Sequence, residues 1–232
     1  MKKILTVTVL LLAVCTVSRA QQVIRSENIN TYNALEFTGK VTVEMTKAQN
    51  NNSTIEITLV ETDAGRLDWG VRADGTLYVR LRPNASNSRA AAEVKLSYNA
   101  FKSLKASGAG VVFGDVVEAG ILDIEVSSGG TFSGEVDVQD VSFRVTGNSA
   151  ADVKGKAKYY TLVANGRSKV DSRGLEVQDA NISAASMAEV YVRAQERLQI
   201  SSDTGASVFY GGEPAILRTS AKTLGEINFI GK

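Results

Sequence analysis

Apolar and polar residues recur with a period of about nineteen residues from Leu104 to the end of the sequence. Each unit begins with an apolar residue, continues through small and polar residues, and becomes apolar again. The spacing between unit starts varies only slightly and is shortest at the end of the chain; the seven starts are Leu104, Ile124, Phe143, Leu162, Ile182, Ile200 and Leu217. A fixed period of this length is typical of a solenoid, in which each unit buries its apolar face by stacking on its neighbours.

The apolar runs inside these units are short and rich in β-branched residues, as in Val111-Val112-Phe113 and Val190-Tyr191-Val192. Such runs favour strands over helices. A left-handed β-helix needs an aliphatic residue every six positions, and units of about nineteen residues do not keep that period. The sequence therefore predicts an all-β fold, a right-handed parallel β-helix of about seven short coils.

Small residues recur at one point of each unit, where the chain is expected to turn. We expect a left-handed backbone conformation at Gly108, Gly129, Gly147, Gly166 and Gly205. The strings Asp137-Val138-Gln139-Asp140 and Glu176-Val177-Gln178-Asp179 lie two repeat lengths apart and indicate that a second corner geometry is also repeated. Asn148 and Asn165 are expected to stack inside the solenoid as a structural polar ladder.

Residues 21–103 are also β-rich, with less regular spacing. An extended lead-in over residues 21–33 precedes three stretches of alternating or apolar character, at residues 37–45, 55–59 and 94–98, which predict strands. Asp74-Gly75, between Val71 and residues 77–81, predicts a β-hairpin. We expect residues 21–103 and the repeats at 104–232 to form one continuous unit.

The first twenty residues have the pattern of a signal peptide. Lys2 and Lys3 precede an apolar stretch over residues 4–17, and Ser18-Arg19-Ala20 offers small residues at the cleavage-recognition positions. We predict cleavage after Ala20 and export across the inner membrane to the periplasm, the cell surface or the medium. A retained anchor is the alternative, although fourteen residues are few for spanning a bilayer. Lipidation of Cys15, the only cysteine, stays open.

The charge balance excludes some partners. The chain has 26 basic and 25 acidic residues, and removal of Lys2, Lys3 and Arg19 leaves 23 against 25, a net charge of −2. A surface of mixed sign offers no electrostatic footprint for nucleic acid or for anionic membranes. Twenty glycines against two prolines fit β-structure with tight corners.

Several strings resemble the putative auto-transporter adhesin family with the head GIN domain, a family of exported bacterial proteins. They are Leu104-Lys105-Ala106-Ser107-Gly108-Ala109-Gly110, Val126-Ser127-Ser128-Gly129-Gly130, Asp74-Gly75-Thr76-Leu77-Tyr78-Val79, and the run from Thr204 to Pro214 with its Tyr210-Gly211-Gly212-Glu213-Pro214 element. Gly225-Glu226-Ile227-Asn228 approximates a Gly-Ile-Asn string. The resemblance extends from Phe37 to about Ile230, and it implies a β-helical, adhesin-like protein with no recognised catalytic residues and no cofactor.

The residue inventory excludes many enzymes. The chain has no histidine, so Ser-His-Asp, Cys-His and histidine-ligated metal sites are ruled out. One catalytic alternative is a polysaccharide-active enzyme. Asp115 and Glu135 lie about one unit apart, and stacking on adjacent coils would give a carboxylate pair, with Lys156 continuing the row as a charge partner.

Exposed aromatic rings are the other candidates for a binding role, as platforms for sugars. The candidates are Trp69, Tyr159, Tyr160, Tyr191 and Tyr210. Tyr159 and Tyr160 must point to opposite faces of an extended strand, and Trp69 beside Gly70 is the ring expected to be most exposed. No calcium-loop spacing occurs. Asp140, Asp179 and Asp203 are therefore expected to be turn residues that bond their local backbone, with no metal site.

These observations predict a non-enzymatic, exported interaction protein, adhesin-like or part of the cell envelope. Its expected partner is a glycan or another envelope protein. The segment at residues 227–230 is expected either to cap the last coil or to offer an open edge, through which the protein would form homo-oligomers. A structural spacer with no ligand is an equally open interpretation of the same sequence.

Overall fold

The computed structural model describes residues 22–27, 29, 32–49 and 52–231. Within these ranges the backbone forms eighteen strands and one short 3-10 turn at Ala64–Arg66, with no α-helix. All the strands belong to one continuous hydrogen-bonded sheet. This sheet forms a β-solenoid of about seven turns, which confirms the predicted solenoid fold. The predicted signal peptide and Cys15 lie outside the described residues.

The strands follow one another closely along the chain. The first nine are β1 (Gln22–Glu27), β2 (Ala34–Thr38), β3 (Val41–Lys47), β4 (Thr54–Val60), β5 (Leu67–Val71), β6 (Thr76–Leu81), β7 (Ala91–Tyr98), β8 (Ser103–Ser107) and β9 (Gly110–Phe113). The other nine are β10 (Val117–Ser127), β11 (Thr131–Thr146), β12 (Ala150–Asn165), β13 (Lys169–Ala185), β14 (Glu189–Arg193), β15 (Arg197–Ser202), β16 (Ser207–Gly211), β17 (Ile216–Ala221) and β18 (Glu226–Phe229).

The coils have three faces, which we name in chain order. The first face stacks β2, β8, β15 and β17 with the C-terminal parts of β10 to β13. The second face stacks β3, β9, β14, β16 and β18 with the N-terminal parts of β11 to β13. The third face consists of the segments around Val117, Val136, Gly155 and Leu175, which pair in register before β10 to β13 bend into the first face.

The predicted unit starts form one column on the first face, with one exception. Leu104, Ile124, Phe143, Leu162, Ile182 and Ile200 pair in register from coil to coil. Leu217 pairs with Leu198, whereas Thr219 pairs with Ile200. The expected start of the seventh unit was therefore wrong by two residues. Alternate residues of a strand share a face, so a slip of two preserves the apolar pattern and cannot be seen in it.

The core contains a continuous chain of aromatic rings. Successive rings meet edge to face, with centroid separations from 4.9 to 6.1 Å. None of the six residues is more than 7% exposed. They are Tyr98, Phe101, Phe113, Phe132, Phe143 and Tyr160. Such ring pairs add about 0.5–1.5 kcal/mol each beyond their burial, so this chain of rings ties successive coils together.

The corner between the first and second faces uses the left-handed backbone conformation that the sequence predicted. The φ angles of Gly108, Gly129, Gly147, Gly166 and Gly205 lie between 68° and 79°. In coils that have no glycine at this position of the corner, other residues adopt the same conformation, among them Ser186, Met187, Thr223 and Leu224. The corner glycines are therefore part of a geometry that the whole solenoid shares.

The predicted internal ladder of Asn148 and Asn165 is wrong, because both side chains are exposed. The buried positions at this corner belong instead to Ser149 and Ser168, in a column of small residues that continues with Ala188 and Ala206. The Ser149 hydroxyl donates to the carbonyl oxygen of Thr146 at 2.7 Å and accepts from the backbone N–H of Gly129. The corner leaves room only for small side chains, and an asparagine does not fit inside it.

The N-terminal part contributes a coil of the same solenoid and covers its first end. Residues 37–45 were expected to form a single strand, but a corner at Gly39 divides them between β2 and β3. A Cβ atom at Gly39, where φ is 90°, would lie 2.3 Å from the carbonyl oxygen of Leu81. β2 and β3 pair in parallel with β8 and β9.

Antiparallel strands cover this end. The predicted hairpin is confirmed as β5 and β6, joined by a turn in which the Thr76 N–H donates to Asp74 Oδ1 at 2.9 Å. The strands predicted at residues 55–59 and 94–98 are confirmed as parts of β4 and β7, which pair antiparallel. The expected extended lead-in contains β1, paired with β4.

The opposite end of the solenoid is open. β17 and β18 each pair with one preceding strand, β15 and β16, and with no other strand in the described residues. Residues 227–230 therefore belong to the last coil itself and do not fold back as a cap over it. None of the helical segments in the described ranges has the length and apolar character needed to cross a membrane.

Candidate functional site

A groove lies on the third face where the coils become shorter. Ser172 pairs with Val192, and Asp179 pairs with Arg197. Residues 173–178 connect Ser172 to Asp179 in one coil. Residues 193–196, a connection two residues shorter, join Val192 to Arg197 in the next coil. The shorter connection recesses the surface, and a concavity of about 530 Å³ results. We call it the third-face groove.

Apolar and charged side chains line different parts of this groove. Leu175, Val177 and Ala194 are buried and contribute its floor. Two basic, two acidic and one amide side chain surround them: Arg173, Arg193, Glu176, Glu213 and Gln195. Guanidinium groups supply several hydrogen-bond donors in a plane, and carboxylates supply acceptors. The groove can therefore bind a polar molecule that presents both hydroxyl and charged groups.

Gly212 forms part of the wall, and its backbone requires glycine. Its φ is 90°, and a Cβ atom there would lie 2.9 Å from the carbonyl oxygen of Ala194. This is the central residue of the Tyr210-Gly211-Gly212-Glu213-Pro214 element singled out in the sequence. The element therefore brings the chain close to residues 193–196 and places Glu213 at the groove.

The groove continues along the third face toward the N-terminal end. A neighbouring concavity of about 270 Å³ shares Glu176, Val177 and Gln195 with it. There, Asp137, Lys156 and Glu176 pair in register across three coils. This register confirms that the two similar strings at residues 137–140 and 176–179 occupy equivalent positions two coils apart. Acidic and basic side chains thus alternate along the solenoid axis at a spacing of about 4.8 Å.

Arg173 is held in place at the edge of the groove. Its Nε donates to Asp171 Oδ1 at 2.9 Å, and its guanidinium carbon lies 4.8 Å from the ring centroid of Tyr191. Hydrogen bonding to Arg173 lowers the pKa of the Asp171 carboxyl from its usual range, so the pair is ionised at neutral pH. One charged side chain of the groove is therefore oriented before any ligand arrives.

The aromatic residues proposed from the sequence are spread over different faces. Tyr159 and Tyr160 point to opposite sides as predicted, with Tyr160 buried in the core and Tyr159 exposed. Burial raises the pKa of the Tyr160 phenol. Trp69 was expected to be the most exposed ring and is instead in strand β5, partly buried against the core. Tyr210 is also partly buried and packs at 5.4 Å from the ring of Phe229. None of these four residues lines the third-face groove.

The expected continuation of an Asp115–Glu135 row by Lys156 is wrong. Glu135 pairs with Lys154, and Lys156 pairs with Asp137. The register of the ladder also changes around Asp115, because Val112 pairs with Ser133 whereas Val117 pairs with Val136. Asp115 lies in the connection between these two registers, where its Oδ2 accepts the backbone N–H of Lys47 at 2.8 Å. This hydrogen bond joins the connection to the end of β3.

The aspartates expected at turns divide into two groups. Asp203 is in a turn, and its Oδ1 accepts the N–H of Thr204 at 2.7 Å, as predicted. Asp140 and Asp179 lie inside β11 and β13, where each pairs in register with Tyr159 of the coil between them. Within the described ranges, no three acidic, histidine or cysteine side chains cluster closely enough to hold a metal ion.

The fold and this groove define a β-solenoid with one recessed polar face. Residues 31–214 match the model of the putative auto-transporter adhesin family, head GIN domain. The match covers most of the chain, and the protein belongs to this family. No curated protein sequence matches it. The matched range ends at Pro214, the last residue of the Tyr210–Pro214 element, so the last coil, which contains the approximate Gly-Ile-Asn string, lies beyond it.

Solved structures share the fold at low sequence identity. A putative adhesin from Bacteroides fragilis has a TM-score of 0.77 at 15% identity, covering 91% of this chain and 98% of that one. A putative lipid binding protein from Parabacteroides distasonis has a TM-score of 0.67 at 16% identity, covering 90% and 96%. A putative adhesin from Parabacteroides merdae has a TM-score of 0.63 at 15% identity, with the same two coverages.

Sequence reasoning missed the groove. Its lining comes from three coils, and its depth depends on the relative lengths of two connections that do not resemble each other in sequence. One signal was present, since the spacing between unit starts shortens between Ile182 and Ile200 relative to the preceding units. A shortened unit in a solenoid marks a place where the surface steps inward.

Proposed function

We propose that this protein is an exported, non-enzymatic, adhesin-like component of the bacterial cell envelope that binds a glycan through the third-face groove. Membership of the adhesin family supports the general role. The observation that carries the proposal is the groove, where Arg173, Arg193, Glu176, Glu213 and Gln195 surround an apolar floor. A sugar chain presents hydroxyl groups for such side chains and carbon-bound hydrogens for such a floor.

The rigid solenoid suits an extended ligand. The groove and its neighbouring concavity follow the solenoid axis over several coils, because both contain Glu176 and Gln195. A polymer lying along this axis would meet side chains repeated at about 4.8 Å, the distance between adjacent strands. The carboxylate-pair enzyme hypothesis has no comparable support, since neither Asp115 nor Glu135 lines the groove or its neighbouring concavity.

Two matched substitutions test the groove as the binding site. Gln195→Trp places a bulky ring in the groove, whereas Gln199→Trp places the same ring on the exposed first face. A glycan array followed by calorimetry with the best ligand should show at least a tenfold loss of affinity for Gln195→Trp and unchanged affinity for Gln199→Trp. An array of acidic and neutral polysaccharides that gives no binding would refute the proposal, as would equal binding by both variants.

Export is tested separately. Fractionation of the native host should place the mature chain outside the inner membrane, with an N-terminus at Gln21. Metabolic labelling with a fatty acid, compared between the natural chain and Cys15→Ser, resolves the question of lipidation. Recovery of the full-length chain in the cytoplasm would contradict the proposed export.

A further inference from the structure

The open C-terminal end of the solenoid presents two unpaired strand edges. Apart from their bonds to the preceding coil, β17 and β18 have no strand partner in the described part of the chain. Exposed apolar side chains accompany these edges, including Leu217, Phe229 and Leu224, which is 88% exposed. Free edges beside apolar side chains favour pairing with another chain.

The two ends of the molecule differ in how far their outermost strands are exposed. At the N-terminal end, antiparallel pairs formed by β1, β4 and β7 and by β5 and β6 cover the first coil. At the C-terminal end all six residues of β17 are exposed. The edge strands β1 and β5 at the N-terminal end also have one strand partner each, but four of the five residues of β5 are partly buried, so the C-terminal end is the more exposed of the two.

We propose that the last coil pairs with the last coil of a second copy of this chain, in a two-fold, end-to-end dimer. In this arrangement β17 of each copy lies antiparallel to β18 of the other. A two-fold axis through the corner at residues 222–225 exchanges the two strands. Both open edges are then used at once, and the assembly closes at two copies, as two-fold interfaces do.

The register of this pairing follows from the positions of the two strands. The centres of Ile216–Ala221 and Glu226–Phe229 are equidistant from Thr223, which lies within the corner. Centring one strand on the other places Thr219 opposite Ile227 of the second copy, and Leu217 opposite its Phe229. Ile227 and Phe229 continue the inward-facing column of Val208 and Tyr210, so the paired side chains extend the core across the interface.

The charges agree with a second copy as the partner. In the same register Arg218 lies opposite Asn228 of the second copy, and Ser220 lies opposite its Glu226. Like charges directly opposite each other would destabilise an antiparallel pair, and none occurs in this register. Leu224, the most exposed apolar side chain of the end, lies beside the two-fold axis and meets its own counterpart.

The oligomeric state of the purified protein tests the proposal. Sedimentation velocity over a wide range of protein concentration should show a monomer–dimer equilibrium. Thr219→Lys and Leu224→Lys, both at exposed positions, should each raise the dissociation constant at least tenfold, because the first places a charge against Ile227 of the second copy and the second places like charges beside the axis. Thr161→Lys, an exposed threonine on the first face, is the matched control and should leave the equilibrium unchanged. Circular dichroism checks that all variants fold.

Cysteine pairs test the register. In a Cys15→Ser background the introduced thiols are the only ones in the chain. Thr219→Cys with Ile227→Cys should give a disulfide-linked dimer under mild oxidation, since directly opposite residues have Cα atoms about 4.5–5.5 Å apart. Thr219→Cys with Asn228→Cys, which places the second thiol on the other face of the strand, should not.

Three outcomes would overturn the dimer proposal. They are a monomer at every concentration, assembly that grows beyond two copies, and a dimer unaffected by both lysine variants. All three are independent of glycan binding, because the third-face groove includes no residue of β17 or β18.

Discussion

The rings of Tyr191 and Phe209 stack face to face on the second face, with centroids 4.8 Å apart and planes at 14°. The two residues pair in register between β14 and β16. Arg173, from the preceding coil, lies over the Tyr191 ring as well. Contacts from both neighbouring coils therefore cover Tyr191, and its role is to hold the coils together beside the groove. We do not expect it to be a platform for sugars.

The stacked pair should contribute to stability through a measurable coupling. In a double-mutant cycle of Tyr191→Leu and Phe209→Leu, we expect a coupling free energy of about 0.5–1.5 kcal/mol in urea unfolding. Leucine keeps apolar volume and removes only the ring contact. Additive single effects would show that the stack contributes nothing beyond burial.

The alternation of apolar residues and the repeat length made the fold predictable from the sequence, whereas the pairing register between coils was harder to predict. Alternation along each strand and a spacing of about nineteen residues were enough to predict the stacked coils. The mistaken alignment of Leu217 arose because a slip of two residues leaves alternation intact. Hydrogen bonding between the coils places Thr219 opposite Ile200, and this choice of register cannot be seen in the alternation of apolar and polar residues.

Ser149 and Ser168 should respond differently to removal of the hydroxyl. Both are buried in the small-residue column, but only the Ser149 hydroxyl has hydrogen-bond partners among the described atoms. Ser149→Ala should destabilise the protein by about 1 kcal/mol, because it leaves the Gly129 N–H without its acceptor. Ser168→Ala should be neutral or stabilising by up to about 1 kcal/mol. Thermal and urea unfolding measure both, and similar losses for the two variants would contradict this view of the corner.

Gly39 should tolerate substitution poorly. Gly39→Ala combines a strained φ with a clash against the Leu81 carbonyl, and we expect a loss of more than about 2 kcal/mol. Gly129→Ala has the strained φ but open space around its Cβ, so about 1 kcal/mol is expected. Gly120→Ala, with neither feature, is the control and should change stability little. The midpoints of urea unfolding should therefore be lowest for Gly39→Ala, higher for Gly129→Ala and highest for Gly120→Ala, and a different order would contradict this prediction.

Glu36 should give the protein an acid-sensitive contribution to stability. Its Oε2 accepts from Arg72 Nη1 at 2.6 Å, and its Oε1 accepts from Arg72 Nη2 and Arg80 Nη2. Hydrogen bonding to Arg72 lowers the pKa of the Glu36 carboxyl below its usual 4.5. Because the folded-state pKa is the lower one, the contribution is complete above pH 4.5 and is lost as the pH falls through the folded value.

Glu36→Gln measures this contribution. At pH 7 the variant should be less stable by about 1 kcal/mol, and the difference should shrink as the pH falls below 4.5. Glu93→Gln, at an exposed position on β7, controls for the general effect of removing a carboxylate. A deficit for Glu36→Gln that stays constant down to pH 3 would contradict the ionic origin.

The groove shows why the site was harder to predict than the fold. Its charged residues, Arg173, Glu176, Arg193 and Glu213, belong to three coils, and each looks ordinary within its own unit. Only the difference in length between residues 173–178 and 193–196 makes them line one recess. The prediction of aromatic binding sites was limited for a related reason. Alternation along a strand predicts whether a ring points inward or outward, but it does not predict which side chains of the adjacent coils cover that ring.

Because the same corner recurs in successive coils, a whole coil can be removed or added, and this changes the distance between the two ends of the solenoid. Thr146 is followed by Gly147, and Asn165, its partner in the next coil, is followed by Gly166. Deleting residues 147–165 would therefore rejoin the chain at an equivalent corner and shorten the molecule by about 4.8 Å. The number of coils therefore sets the distance between the N-terminal strands and the final coil.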